Sequence, residues 1–274
     1  MSKKLTSFKN VVWALCIFTA LVAAAVALVI AAVNRSSEAP FSTEVVLRRE
    51  EAAAVIEKSS VASGGTLLAL AETADMGQEY IDTLTFLCDS SVVGMRDYGL
   101  LSGGKETYQV WGSNSGSLKL SEIEGTKIVY PADDSEISIA DAVSLAKPPI
   151  LVLCLGQDGL RDIDEATFKA SYTSLINTIK AGSPDTKIIC CSICFVAANY
   201  SGPDGLTSEK ILTANDWIKT VCVSTGSYYC DAGHSVGDGY GNSRINYLSS
   251  NQKTLSSVGM EEYLTYIRTH ALTE

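Results

Sequence analysis

The sequence predicts a three-layer α/β/α sandwich with about five parallel strands, preceded by one N-terminal transmembrane helix. From about residue 79 onward, strand-like and helix-like segments alternate, and the strand-like segments are short apolar runs. This alternation predicts a parallel sheet that helices cover on both faces. A run of 23 residues without a charge near the start of the chain predicts the membrane helix.

Four segments are expected in order: a cytoplasmic tail (residues 1–10), a transmembrane helix (11–33), a stalk or linker (34–78) and a folded domain (79–274). At 1.5 Å per residue, the apolar run spans a bilayer core of roughly 30 Å. Three lysines precede it, so the positive-inside rule places the tail in the cytoplasm and the domain outside. Cleavage of the run as a signal peptide is the alternative. We therefore expect a single-pass protein of the cell membrane.

Within the domain, β-branched and apolar runs predict strands, and amphipathic stretches flanked by capping residues predict helices. The predicted strands are residues 83–87, 108–111, 149–155, 187–195 and 227–230, with a short extended piece at 127–130. The predicted helices are residues 137–146, with cap candidates at 133–135, then 164–180, 208–223 and 256–270. Residues 232–250 read as a loop rich in Gly, Ser and Asn.

The composition argues against a nucleic-acid partner, but it does not decide whether the cysteines form disulfides. The net charge is -10, and no cluster of Lys and Arg is present, so we expect no nucleic-acid partner. Of eight cysteines, Cys191-x-x-Cys194 is spaced like a redox or metal motif. No second pair and no nearby histidine completes a zinc site, so we interpret both as strand residues and expect no metal and no cofactor. Cys222 and Cys230 could pair outside the cytoplasm.

The candidate nucleophile is Ser90, at the end of the first domain strand. The run Leu84-Thr-Phe-Leu-Cys-Asp-Ser-Ser-Val-Val-Gly94 reads as a buried strand that stops at Cys88-Asp89-Ser90. Open α/β sheets place their chemistry at the carboxyl ends of the strands. Asp89 is interpreted as a cap for the following helix.

Two stretches resemble blocks of a known family. Phe86-Leu-Cys-Asp-Ser-Ser-Val-Val-Gly94 is similar to F-x-G-D-S-x-x-x-G, the first block of the SGNH (GDSL-type) hydrolases, and Val152-Leu-Cys-Leu-Gly-Gln-Asp158 to their third block, G-x-N-D or G-x-N-E. The final stretch, residues 259–271, resembles the terminal helix of membrane-anchored members from Gram-positive bacteria. The resemblance covers roughly residues 77–272 and implies a flavodoxin-like fold.

The resemblance also implies a mechanism, ester hydrolysis by a Ser-His-Asp triad. In this family the oxyanion is bound by the N–H of the serine, a glycine N–H of the second block and the third-block Asn. Carried over, these positions are Ser90, Gly112 or Gly116, and Asp158. A carboxylate at 158 repels an oxyanion unless it is protonated.

Three further family positions are replaced. Cys88 stands where the first block has a glycine. Counting back from the terminal helix places Asn251 at the orienting Asp and Thr254 at the catalytic His. Thr does not act as a base at neutral pH, so the standard triad is degenerate.

Only two histidines are present, and one of them follows a strand. Asp231-Ala-Gly-His234 spells the D-x-x-H of the last family block, so His234, oriented by Asp231, is a candidate substitute base. The alternative is an exposed loop histidine, because some twenty residues separate it from the terminal helix. His270 is interpreted as a surface or packing residue.

The sequence therefore predicts a membrane-anchored, extracytoplasmic hydrolase-like protein of the bacterial cell envelope. Its ancestry is that of esterases and O-deacetylases, its catalysis is impaired, and its role is binding or scaffolding of a cell-envelope carbohydrate or acyl ester. The alternative is an active serine esterase or carbohydrate O-deacetylase. That enzyme would use Ser90 with His234, or a carboxylate such as Asp158, as its base.

Overall fold

The computed structural model describes residues 65–273, which contain eight strands and seven α-helices. The strands are β1 (Leu68–Ala69), β2 (Leu84–Cys88), β3 (Val110–Trp111), β4 (Lys127–Tyr130), β5 (Ser135–Ser138), β6 (Ile150–Cys154), β7 (Lys187–Cys191) and β8 (Tyr228–Cys230). The helices are α1 (Gly77–Asp82), α2 (Gly94–Asp97), α3 (Ile139–Ala146), α4 (Glu165–Gly182), α5 (Ser208–Thr225), α6 (Ala232–Ser235) and α7 (Ser257–Thr269). Short 3₁₀ turns occupy Gly104–Glu106, Leu120–Gly125, Leu160–Asp162 and Ile245–Tyr247.

Six of the strands form one parallel sheet, in the order β1-β8-β7-β6-β2-β3. The expected number was about five. The additional strand, β1, comes from residues assigned to the stalk, and Leu70 N–H extends its pairing with β8 by donating to Tyr229 O at 2.8 Å. A strand of two residues is too short to produce a recognisable alternation. Strands β4 and β5 form a separate antiparallel hairpin.

Side chains that alternate along the strands separate two hydrophobic cores, one on each face of the sheet. In β6, Leu151 and Leu153 belong to one core, whereas Val152 and Cys154 belong to the other. Helices α3, α4 and α5 pack on the first face, and α1, α2 and α7 on the second. The predicted three-layer arrangement is confirmed for the described residues.

The hairpin corrects one predicted helix start. Helix α3 begins at Ile139, with Ser138 as its N-cap, because residues 135–138 pair with β4 instead. The cap candidates at 133–135 form the hairpin turn: Asp133 Oδ1 accepts Ser135 N–H at 3.1 Å, and Asp134 has a φ of 58°. An Asp that binds the backbone two residues on is as typical of a turn as of a helix start.

The cytoplasmic tail, the apolar run at 11–33 and residues 34–64 of the expected stalk lie outside the described residues. Within residues 65–273, no helix is both long enough and apolar enough to cross a membrane.

The seven cysteines of the described chain are free and buried, so Cys222 and Cys230 are not paired there. Four of them end neighbouring strands and face the second core. Cys88 is level with Cys154, and Cys191 with Cys230. Residues 65–273 contain no group of three or more His, Cys, Asp or Glu arranged to hold a metal ion.

Candidate active site

A buried carboxylate shapes the corner where β2 ends. Asp89 Oδ1 accepts Ser91 N–H at 3.0 Å and Ser91 Oγ–H at 2.5 Å, and Oδ2 accepts the N–H groups of Gly156 at 3.0 Å and Gln157 at 2.8 Å. Asp89 therefore ties the end of β2 to the end of β6. It does not cap helix α2, whose N-cap is Val93. The cap interpretation was wrong because this side chain accepts hydrogen bonds from Ser91 and from the residues that follow β6.

The surroundings of Asp89 raise the pKa of its carboxyl group. Complete burial, followed by the negative charge of Asp158, raises the pKa of Asp89 to about 6, against hydrogen bonds from Ser91 and Gln157 that lower it. At neutral pH the carboxylate is therefore ionised, and its four strong donors stabilise that charge.

Ser90 and Asp158 contact each other through both carboxylate oxygens. Asp158 Oδ1 accepts Ser90 Oγ–H at 2.6 Å, and Oδ2 accepts Ser90 N–H at 3.1 Å. A second backbone group, the N–H of Leu118, also donates to Oδ2 at 3.1 Å. Two backbone N–H groups that converge beside a serine hydroxyl are the arrangement that binds an oxyanion in acyl transfer. Here an oxygen of Asp158 occupies that position.

Leu118 is a site residue that sequence reasoning missed. Gly112 and Gly116 were the candidates for the second donor. Gly116, with a φ of 73°, forms a turn in which its N–H donates to Ser113 O, and Leu118 follows two residues later. Its contribution is a main-chain N–H, which every residue except proline carries, so no sequence signal distinguishes it.

Cys88 replaces the family glycine without backbone strain. It is the last residue of β2, paired with Cys154, and its side chain is fully buried in the second core. Extended backbone accepts any side chain, so this position does not require glycine.

A lysine that sequence reasoning overlooked reaches the same carboxylate. Lys253 Nζ lies 3.7 Å from Asp158 Oδ1 and 2.9 Å from Asp204 Oδ2. Tyr200 Oη–H in turn donates to Asp204 Oδ1 at 2.8 Å. Ser90, Asp158, Lys253, Asp204 and Tyr200 therefore form one continuous polar chain. Lys253 stands between the two degenerate triad positions, and that location was the available signal.

The degenerate triad positions contact each other beside the serine corner. Asn251 Oδ1 accepts Thr254 N–H at 3.0 Å, and Asn251 Nδ2 donates to Thr254 Oγ1 at 3.0 Å. The next residue, Leu255, donates its N–H to Ser91 O at 3.3 Å. The segment thus lies against the Ser90 turn, but the two side chains satisfy each other and contain no imidazole.

The other predicted pair, Asp231 and His234, forms at the end of β8. His234 Nδ1 lies 2.5 Å from Asp231 Oδ1, and the imidazole packs edge-on against Phe195 with ring centroids 4.7 Å apart. Burial raises the pKa of Asp231, but the hydrogen bond and charge of His234 outweigh it, with help from Tyr229 and Ser192, and lower that pKa to about 2. Asp231 thus orients the imidazole.

The strand order separates this pair from Ser90. Strands β7 and β6 lie between β8 and β2. With neighbouring strands about 4.8 Å apart, the backbones of β8 and β2 are roughly 14 Å apart. Proton transfer requires a heavy-atom distance of about 3 Å. The topology therefore weighs against direct contact between His234 and Ser90. His270 stacks on Tyr266 at 3.7 Å, a packing contact on α7.

The same carboxylate cannot serve as the base and leave room for substrate. To accept the Ser90 proton, Asp158 uses Oδ1 at 2.6 Å, and in that pose Oδ2 fills the space between the two N–H donors. A substrate carbonyl oxygen must occupy that space. In this position the Asp158 carboxylate itself occupies the space between the N–H groups of Ser90 and Leu118.

Comparison with solved structures identifies the fold. A protein from Streptococcus pneumonia, provisionally named a platelet activating factor, matches with a TM-score of 0.50 and 14% identity, over 83% of this chain and 97% of its own. A GDSL-like lipase, so named provisionally, from Parabacteroides merdae matches with a TM-score of 0.47 and 11% identity, over 74% of this chain and 98% of its own. No protein-family model matches the sequence, and no curated protein matches it significantly.

The parallel sheet and the first of these similarities agree on an α/β/α fold. Within that class, the described residues share the fold of the Streptococcus pneumonia protein. The predicted α/β/α fold is thus confirmed for the described residues.

Proposed function

We propose that this chain is a catalytically impaired, hydrolase-like protein of the bacterial cell envelope, anchored in the membrane by residues 11–33. Its domain lies outside the cytoplasm and acts as a binding or scaffold module for an envelope carbohydrate or acyl ester. The proposal combines an esterase-type fold with a centre that has lost the groups needed for turnover.

The observation that carries the proposal is the carboxylate of Asp158 between Ser90 N–H and Leu118 N–H. A tetrahedral intermediate needs those donors for its negative oxygen, and loss of even one such donor costs about 10²–10³-fold in kcat. A side-chain carboxylate in the same place occupies both donors.

The missing base supports the same conclusion. Thr254 stands at the family's histidine position and is bonded to Asn251 and Ser249. A positioned general base contributes about 10²–10⁴-fold to the rate. With base and oxyanion stabilisation both absent, turnover falls toward the uncatalysed rate.

The test treats the full-length chain, purified in detergent, with p-nitrophenyl acetate and with a serine-reactive fluorophosphonate. We expect no turnover above that of Ser90→Ala and no labelling of Ser90. Labelling of the wild-type chain that disappears in Ser90→Ala would show a working nucleophile and refute impairment.

One observation favours a second candidate, an active esterase that uses the Asp231–His234 pair. The 2.5 Å contact and the lowered pKa of Asp231 are the features of a carboxylate that orients a catalytic imidazole. This candidate requires a rearrangement that brings His234 to Ser90. It predicts that His234→Ala abolishes ester turnover while His270→Ala, the matched histidine control, does not.

A further inference from the structure

The oxyanion donors of this protein already hold an anion, supplied by the chain itself. Asp158 accepts three hydrogen bonds from them, from Ser90 N–H at 3.1 Å, Ser90 Oγ–H at 2.6 Å and Leu118 N–H at 3.1 Å. The two oxygens of one carboxylate share these donors. The arrangement is that of a receptor and a bidentate carboxylate ligand.

We propose that the Asp158 carboxylate is an intramolecular ligand that closes a carboxylate-binding site, and that small external carboxylates bind the same donors once this side chain is removed. The inference rests on the proposed function in one respect, that the site has kept its oxyanion donors. It adds an autoinhibitory contact and the chemical class of ligand that competes with it.

The electrostatic setting explains why the donors select an anion. Asp158 is only 8% exposed and lies close enough to buried Asp89 for its charge to raise the pKa of that residue. Two neighbouring carboxylates repel each other at such short range. The contact with Asp158 therefore persists because its three donors and the Lys253 ammonium, 3.7 Å away, outweigh that repulsion.

Lys253 also helps to hold the Asp158 carboxylate in place. Lys253 Nζ is closer to Asp204, at 2.9 Å, than to Asp158, so the ammonium is fixed by a residue outside the serine corner. Asp204 is held by Tyr200 Oη–H and by the N–H of Leu206. The position of the Asp158 carboxylate therefore also depends on the loop that contains Asp204.

Solvent can reach the site. Ser90 is half-buried, and the side chain of Lys253 keeps 17% of its surface exposed. Replacing Asp158 by alanine removes one carboxyl group, whose volume equals that of formate. Formate is therefore the matched external ligand, and acetate tests for one additional methyl group.

The experiment uses full-length Asp158→Ala, with ¹⁵N-labelled Ser and Leu, titrated with sodium formate against sodium chloride at equal ionic strength. We expect saturable shifts of the Ser90 and Leu118 amide resonances and a rise in the thermal unfolding midpoint, as mass action requires. Wild type should not respond. Asp158→Asn, the matched control, fills the volume with a neutral amide and should not respond either.

A folded Asp158→Ala chain whose Ser90 and Leu118 amides show no saturable response to formate overturns the inference. If that variant does not fold, Asp158→Asn provides the test. Loss of the charged acceptor should move the Leu118 amide proton upfield. An unchanged resonance overturns the inference. Both readouts are independent of catalysis. Ester turnover by the wild-type chain would therefore refute only the proposed impairment.

Discussion

At the scale of single residues, the site differs from the family pattern at position 158, where the pattern has an amide. The Asp158 carboxylate fills the space between the N–H groups of Ser90 and Leu118. An Asn at this position would donate a hydrogen bond toward the oxyanion, whereas Asp158 accepts from both remaining donors. The backbone of the corner is retained, because Asp89 still ties β2 to β6. The corner thus keeps its backbone geometry while a carboxylate accepts from its two N–H donors.

The first prediction concerns the pKa of Asp89, which burial and the charge of Asp158 raise to about 6. The folded chain therefore binds a proton that the unfolded chain releases near pH 4. The stability from this proton is present below about pH 4 and is lost as the pH rises through 6. Asp158→Asn should lower this pKa and move the loss to lower pH, as a ¹³C NMR titration of the Asp89 carboxyl can measure.

Ser91→Ala is the control with the opposite sign. The Ser91 hydroxyl donates to Asp89 and lowers its pKa, so its removal should raise that pKa. A pKa that fails to fall in Asp158→Asn would mean that the two carboxylates do not interact through their charges.

The second prediction restores three family positions together, as Asp158→Asn, Asn251→Asp and Thr254→His. Asn251 already contacts Thr254, and the next residue bonds to the serine corner, so the new pair should lie within reach of Ser90. We expect hydrolysis of p-nitrophenyl acetate to rise about 10²–10⁴-fold over wild type. The same triple variant with Ser90→Ala should show no gain, and an equal gain there would assign the activity to another group.

At the scale of elements, sequence patterns located the long segments and the short strands β3, β4 and β8. They missed β1, β5 and the short helices α1 and α6. Strands β2, β6 and β7 and helices α4, α5 and α7 lie where their apolar runs predict them. The strand predicted for residues 187–195 ends at Cys191. Ser192 N–H still donates to Cys230 O at the end of β8, but Ile193 N–H donates to a helix side chain, that of Asn215. That contact is long-range, so no local pattern contains it.

The third prediction tests this contact. Asn215 on α5 is fully buried, accepts Ile193 N–H at 2.7 Å and donates to Ile193 O at 3.2 Å. Asn215→Ala leaves two buried backbone groups unpaired, at about 1–3 kcal/mol each. We expect the free energy of unfolding to fall by about 2–5 kcal/mol in urea denaturation.

The exposed Thr213→Ala, two residues earlier on the same helix, is the control and should change stability by no more than about 0.5 kcal/mol. Equal losses in both variants would attribute the effect to helix propensity and not to the contact with Ile193.

At the scale of the whole molecule, the candidate site draws on segments far apart in the sequence. Ser90 and Asp158 follow the ends of the neighbouring strands β2 and β6 and were predictable, because the resemblance marks both. Leu118 contributes only its main-chain N–H, which no residue type signals. Lys253 contacts Asp204, which lies 49 positions earlier in the chain. Convergence of this kind depends on how loops fold back over the sheet, which periodicity does not encode.

The fourth prediction concerns the two ends of the domain, which are tied together. Ala271 N–H donates to Thr73 Oγ1 at 3.3 Å, and Leu272 N–H to Tyr80 Oη at 2.9 Å. A chain that stops after Thr269 loses both bonds and the buried methyl group of Ala271. We expect a loss of about 2 kcal/mol in unfolding free energy, at about 1 kcal/mol per hydrogen bond.

Deleting only residues 273–274 removes none of these contacts and should leave the urea midpoint unchanged. A stop after Thr269 that is as stable as wild type would show that this tie between the ends contributes nothing to the fold.

The four buried thiols at the strand ends make the chemical lifetime of the domain depend on how often the sheet opens. Cys88, Cys154, Cys191 and Cys230 are shielded in the second core, so an alkylating reagent reaches them only when the sheet opens. In an oxidising compartment, each opening would also expose neighbouring thiols to cross-linking, which no refolding step reverses. The working lifetime of the domain there is therefore set by how rarely its strands separate, a kinetic limit more than an equilibrium one.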